Sequence, residues 1–107
     1  MLQHPSPSTK NAFVVTVVID VVAAHRTAFL AELINNARLT RELESGCRQF
    51  DVCCAPELPD RFFLYEIYCQ KSDFDIHLAS PHFLAFEHRA RSWIMSKTVV
   101  TYALQHP

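Results

Sequence analysis

With 107 residues, half of them apolar and about a fifth charged, and a formal net charge of −1, the chain has the makeup of one globular domain, with neither a disordered composition nor a membrane-length apolar run. The basic residues are scattered rather than gathered into a stripe, which excludes the electrostatic footprint of a nucleic-acid binder. The four cysteines, Cys47, Cys53, Cys54 and Cys69, lie in apolar, strand-like segments with no C-x-x-C pair, and no secretory signal is recognisable. They are expected to be reduced, buried thiols of a cytoplasmic protein.

The opening MLQHPSPSTKN (residues 1–11) is rich in proline and serine and lacks an apolar period. It is expected to be a flexible tail ahead of a single domain spanning 12–105. FVVTVVIDVV, from Phe13 to Val22, is β-branched and apolar in both alternating sets, so a strand covered on both faces is predicted. From His25 to about Arg41 the period becomes helical, and Phe29, Leu33, Asn36 and Thr40 fall on one stripe. Two polar side chains thus continue an apolar face. Gly46, the only glycine, stands where the helix should end, and a positive φ is expected there.

CRQFDVCCA (Cys47 to Ala55) and RFFLYEIYC (Arg61 to Cys69) read as a hairpin whose turn is PELPD. Cys53 and Cys54 should point to opposite faces. In KSDFDIHLA, Ser72 is the predicted N-cap, with Asp75 completing a weak capping box. Ser80-Pro81 supplies a second cap and a proline at the first helical position, starting a helix to about Ile94 with Phe83, Phe86, Ala90 and Trp93 inward. A last strand is expected from Thr98 to Leu104. The order β-α-β-β-α-α-β is that of an α+β, ferredoxin-like antiparallel sheet with its helices on one face. The other face is apolar too, so two sheets are expected to pack in a homodimer.

No phosphate-binding glycine loop, dinucleotide fingerprint, H-E-x-x-H or G-x-S-x-G is present. The six histidines show no standard ligand spacing, and no metal site is expected. What remains is a set of polar groups among apolar ones, the usual makeup of a small-molecule pocket. Asn36 is a candidate of this kind, and Thr40 is a candidate that competes with simple backbone bonding one turn back. His77 lies at the edge of its helix's apolar face. His82 opens the next helix, where the positive end of the dipole favours a neutral imidazole. Glu66 shares a strand face with Phe62, Leu64 and Tyr68, and acts either as a general acid or base or as the partner of Arg48.

NARLT, then ESGCRQFDV, RFFLYEIY and HLASPHFLAF, in this order and spacing, resemble the antibiotic biosynthesis monooxygenase family. The resemblance is to the branch of candidate quinol monooxygenases and of the isomerase that processes phosphorylated autoinducer-2, and it runs from about Phe13 to Leu104. It implies a dimeric α/β barrel with a pocket between sheet and helices in each subunit, and chemistry without metal, flavin or haem. Oxidative relatives oxygenate quinol or phenolic substrates that themselves give electrons to molecular oxygen, whereas the isomerase branch moves protons on a small phosphorylated dicarbonyl. A non-catalytic ligand-binding dimer is the third reading. The resemblance makes Asn36, Glu66, His77 and His82 the catalytic candidates, with Thr40, Tyr65, Phe50, Phe83 and Phe86 as substrate-binding ones. Strand one lacks the asparagine of the haem-degrading relatives, which disfavours that activity.

Overall fold

The computed structural model describes residues 11–107. The expected tail lies outside this range except for Asn11, whose amide donates to the Leu104 carbonyl at 2.7 Å. The elements are β1 (Phe13–Val21), a 3-10 turn (Ala23–His25), α1 (Arg26–Leu43), β2 (Cys47–Ala55), β3 (Leu58–Tyr68), α2 (Lys71–Leu78), α3 (Pro81–Ala90), a second 3-10 turn (Arg91–Trp93) and β4 (Ile94–Ala103). The four strands form one antiparallel sheet in the order β2-β3-β1-β4. This is the predicted α+β, ferredoxin-like arrangement. None of the described helices is long and apolar enough to cross a membrane.

The sheet's pleat decides which residues meet the helices. Val15, Val17, Ile19 and Val21 of β1 stand beside Phe62, Leu64 and Tyr68 of β3, and this inner face buries Phe29 and Leu33 of α1 and Phe86 and Ala90 of α3. Phe29 touches both Phe62 and Phe86, with ring centroids 5.4 and 5.8 Å apart. The opposite face carries Phe63, Tyr65 and Ile67 of β3 beside Val18, Thr16 and Val14 of β1. On the same face β4 adds Val100 and Tyr102. None of the described helices covers it, and Phe63, Val100 and Tyr102 are 37, 42 and 55% exposed.

Several local expectations are corrected. Gly46 does not have a positive φ. Its lack of a side chain serves proximity, because a Cβ there would lie 2.3 Å from Asp73 Cγ and 2.6 Å from Asp73 Cβ. The N-cap of α2 is Gln70, not Ser72, and no side chain caps it. The helix starts early enough for Lys71 to reach Asp75, 3.1 Å away and one turn on. The hairpin turn is Pro56-Glu57, shorter than predicted. Leu58 pairs with Ala55, and the register then shifts before Cys54 meets Phe62, so Pro59, which has no amide to give, sits in the irregular stretch.

The helix begun by Pro81 stops at Ala90 rather than Ile94, and β4 starts at Ile94 rather than Thr98. The backbone of Ile94 to Lys97 is instead paired with β1, from Val21 opposite Ile94 to Ile19 opposite Lys97. All four cysteines are free thiols, but only Cys47 is buried. Burial pushes its thiol up to about 12. Cys53 and Cys54 are exposed: Cys53 pairs with Phe63 on the uncovered face, and Cys54 lies at the hairpin end, near the Arg26 guanidinium (3.5 Å).

Candidate active site

The side of the sheet facing α2 and α3 does not close completely. A cavity of about 50 Å³ remains, lined by apolar side chains from β1, β2, β3, β4, α2 and α3, with Asn36, Glu66, His77 and Lys97 as the polar groups. Asn36, Glu66 and His77 are 3, 3 and 2% exposed. Leu78, Lys97 and Val99 are its exposed lining residues, so the mouth lies between the end of α2 and β4. Lys97 Nζ stands 5.7 Å from the centre of the Phe83 ring, a cation-π contact across that side. A space of this size holds a few waters. A ring-sized ligand fits only if lining side chains move, and Phe83 with the exposed Lys97 borders the mouth.

Each polar group arrives by ordinary secondary structure. Asn36 is on the inner stripe of α1, one turn before Thr40. Its Oδ1 is buried without a hydrogen-bond partner among the described residues, an acceptor that a ligand or water entering the cavity can satisfy. Thr40 does not line the cavity: its hydroxyl donates to the Asn36 carbonyl at 2.7 Å and lies 3.5 Å from His77 Nδ1. Glu66 comes from the inner face of β3 and accepts a hydrogen bond from Tyr68 Oη at 2.6 Å. Burial raises the carboxyl to about 7, against the smaller opposing effects of that bond and of Lys97. The same burial, with Glu66 beside it, raises the Tyr68 phenol, so it stays a hydrogen-bond donor.

His77, near the end of α2, is packed among Phe50, Tyr68, Phe74 and Phe83, with ring centroids 5.0 to 6.3 Å away. Its Nδ1 is 2.9 Å from Glu44 Oε2. Burial lowers its affinity for a proton, and the neighbouring carboxylate offsets this only in part. With the neutral ring donating Nδ1–H to Glu44, Nε2 is the basic nitrogen.

The remaining candidates fall elsewhere. Ser80 caps α3, its Oγ accepting from the Phe83 amide at 3.2 Å, and Pro81 follows at the first position. This places His82 behind His77 rather than beside it in the cavity. His82 lines an open groove between α1 and the α2–α3 junction, and its Nε2 lies 2.5 Å from the same Glu44 oxygen. The two histidines converge on Glu44, not on one cleft. Phe50, Phe83 and Phe86 do line the cavity. Tyr65 does not: the strand's alternation turns it to the uncovered face, where Arg48, Gln49 and Ile67 share a groove with it. Tyr68, rather than Arg48, is therefore the partner of Glu66.

Sequence reasoning missed Glu44 and Lys97. Glu44 follows α1 in RELESG and looks like an ordinary surface carboxylate. Lys97 lies in the part of β4 that was not expected to be strand. Glu44, His77 and His82 also offer three ligand atoms within 4.8 Å of one another. They are the group able to hold a metal ion among the described residues.

An antiparallel four-stranded sheet with helices on one face defines a ferredoxin-like α+β domain, here with a polar-seeded apolar cavity between the layers. The sequence pattern of the antibiotic biosynthesis monooxygenase family matches residues 12–89, and the chain belongs to that family. No curated protein matches it. Solved structures do. The candidate antibiotic biosynthesis monooxygenase of Nitrosomonas europaea is 25% identical with a TM-score of 0.87, over 92% of this chain and 94% of that one. The one from Bacteroides thetaiotaomicron is 19% identical with a TM-score of 0.88, over 94% and 95%. A protein of Mycobacterium tuberculosis is 24% identical with a TM-score of 0.82, over 90% and 97%.

Proposed function

We propose that the chain is a monooxygenase of a small quinol or phenolic substrate, in which the substrate itself reduces oxygen and no cofactor takes part in the chemistry. One observation carries this reading: Asn36, Glu66 and His77, all buried, converge in a single apolar cavity. An apolar wall suits an aromatic ring and dioxygen, while three placed polar groups orient the ring and move its proton. His77 Nε2 takes the substrate's hydroxyl proton. The resulting oxyanion is stabilised by a hydrogen bond from the Asn36 amide, turned to present Nδ2, or from protonated Glu66. Electron-rich phenolate then reacts with oxygen. A quinol and one O2 give a hydroxyquinone and one water, so no external reductant is needed.

The phosphorylated-dicarbonyl reading needs converging cations. Arg38 is paired with Glu42 at 3.2 Å, and with Arg41 it borders a different groove. Arg48 shares the groove on the uncovered face. Among the described residues, Lys97 is the single Lys or Arg lining the cavity. Oxygen uptake measured against a panel of benzoquinols and naphthoquinols tests the proposal. Catalysed uptake, one O2 per product molecule, is expected. Oxygen-independent conversion of a dicarbonyl, or tight quinol binding with no uptake, contradicts it.

The proposed working unit is a homodimer. The uncovered sheet face with Phe63, Val100 and Tyr102 is continuous, apolar and of the kind that a second copy covers.

A further inference from the structure

Oxygenation as proposed uses one nitrogen of His77 and leaves Glu44 and His82 unexplained. The three side chains are 7, 6 and 3% exposed for Glu44, His82 and His77. Glu44 Oε2 is 2.9 Å from His77 Nδ1 and 2.5 Å from His82 Nε2, and the ligand atoms all lie within 4.8 Å of one another. Glu44 Oε1 is buried with no hydrogen-bond partner among the described residues. A buried carboxylate with one oxygen unmatched is costly unless a cation completes it. A route for that cation exists, because Glu44 and His82 line the open groove bounded by Leu39, Leu43, Ile76 and Pro81.

We propose that Glu44, His77 and His82 form a site for a divalent first-row transition metal ion, entered from the outer groove. Two imidazole nitrogens and one carboxylate oxygen suit zinc, iron, cobalt, nickel or copper; calcium and magnesium take oxygen ligands. Tetrahedral ligands at metal distances near 2.1 Å stand about 3.4 Å apart. Glu44 therefore withdraws from both rings by several tenths of an ångström as the ion enters. Three protein ligands leave at least one coordination position for water from the groove.

The site also controls the cavity. Without metal, His77 donates Nδ1–H to Glu44 and its Nε2 is a proton acceptor. A metal binding Nδ1 displaces the proton from that nitrogen, and the neutral ring then carries it on Nε2. The cavity then faces a hydrogen-bond donor in place of a base. The metal is thus an off-switch for proton abstraction. Only this consequence rests on the proposed role of His77; the binding site itself does not.

The test uses chelator-treated protein carrying Cys53→Ser and Cys54→Ser, which removes the exposed thiols as competing ligands. Titration with Zn2+ by calorimetry and with Co2+ by visible absorption should show one ion per chain with micromolar or tighter affinity. Glu44→Gln and His82→Gln, each checked for a native circular dichroism spectrum, should each weaken it at least tenfold. Absence of binding, or affinity unchanged in both variants, overturns the site. Imidazole 15N NMR reads the switch separately: Zn2+ should move the His77 proton from Nδ1 to Nε2. Binding with the tautomer unchanged overturns the switch alone. Because neither readout uses turnover, failure of the monooxygenase reading would appear in oxygen uptake and leave both intact.

Discussion

At the scale of single residues, the site depends on groups whose chemistry is set by burial. Asn36 and Glu66 were legible because each interrupts an apolar stripe, one at helical period and one at strand period. Glu44 was not, since nothing in RELESG distinguishes a carboxylate turned inward from one left in water. Its role depends on two histidines 33 and 38 residues further on. Glu66 gives a pH prediction. Its folded-state pKa of about 7 lies above the ordinary glutamate value of 4.5, so between these values the folded chain holds more protons than the unfolded one. Stability contributed by this group is complete below about pH 4.5 and is lost as pH rises through 7, by on the order of 3 kcal/mol. Urea unfolding at pH 5 and pH 8 should show Glu66→Gln sparing most of that loss. Tyr68, Lys97 and Glu44 also act on this carboxyl, and parallel pH curves for wild type and variant would refute the assignment.

At the scale of elements, periodicity together with cap and turn residues located the three α-helices and four strands but neither 3-10 turn, while the ends followed rules that sequence expresses weakly. Ser80-Pro81 was decisive, because the cap and the fixed proline φ act within a few residues. Ser72 was equally good as a local signal, yet the cap lies two residues earlier, at Gln70, and the helix starts at Lys71. The end of α3 and the start of β4 were misplaced because pairing with β1, a long-range contact, captures Ile94 to Lys97. Gly46 joins two elements: α2 docks its Asp73 against the α1–β2 junction, and the Cys69 amide donates to the Gly46 carbonyl at 2.9 Å. Gly46→Ala forces Asp73 away and should cost about 1–3 kcal/mol, the range for overpacking. Thermal melts of a double-mutant cycle check this: the penalty should shrink in an Asp73→Gly background, and an equal penalty in both would mean that the contact is not its source.

At the scale of the molecule, the two-sided apolar character of the strands was visible from FVVTVVIDVV onward, and it foretold both the helix layer and the face left bare. A charged residue at the centre of that face should prevent self-association without disturbing the inner core. Val100→Glu is expected to sediment as a monomer where the wild type sediments as a dimer; a wild-type monomer would contradict the proposed pairing. The cavity lies on the other side of the sheet, so its polar set is built within one chain. Whether this set deprotonates an electron-rich ring for reaction with oxygen is decided by catalysed oxygen uptake on a quinol, comparing wild type with His77→Gln. Glutamine keeps a donor toward Glu44 but has no basic nitrogen. Turnover should fall by about a hundredfold or more, with the melting temperature little changed. Equal uptake by the two proteins would rule out His77 as the base.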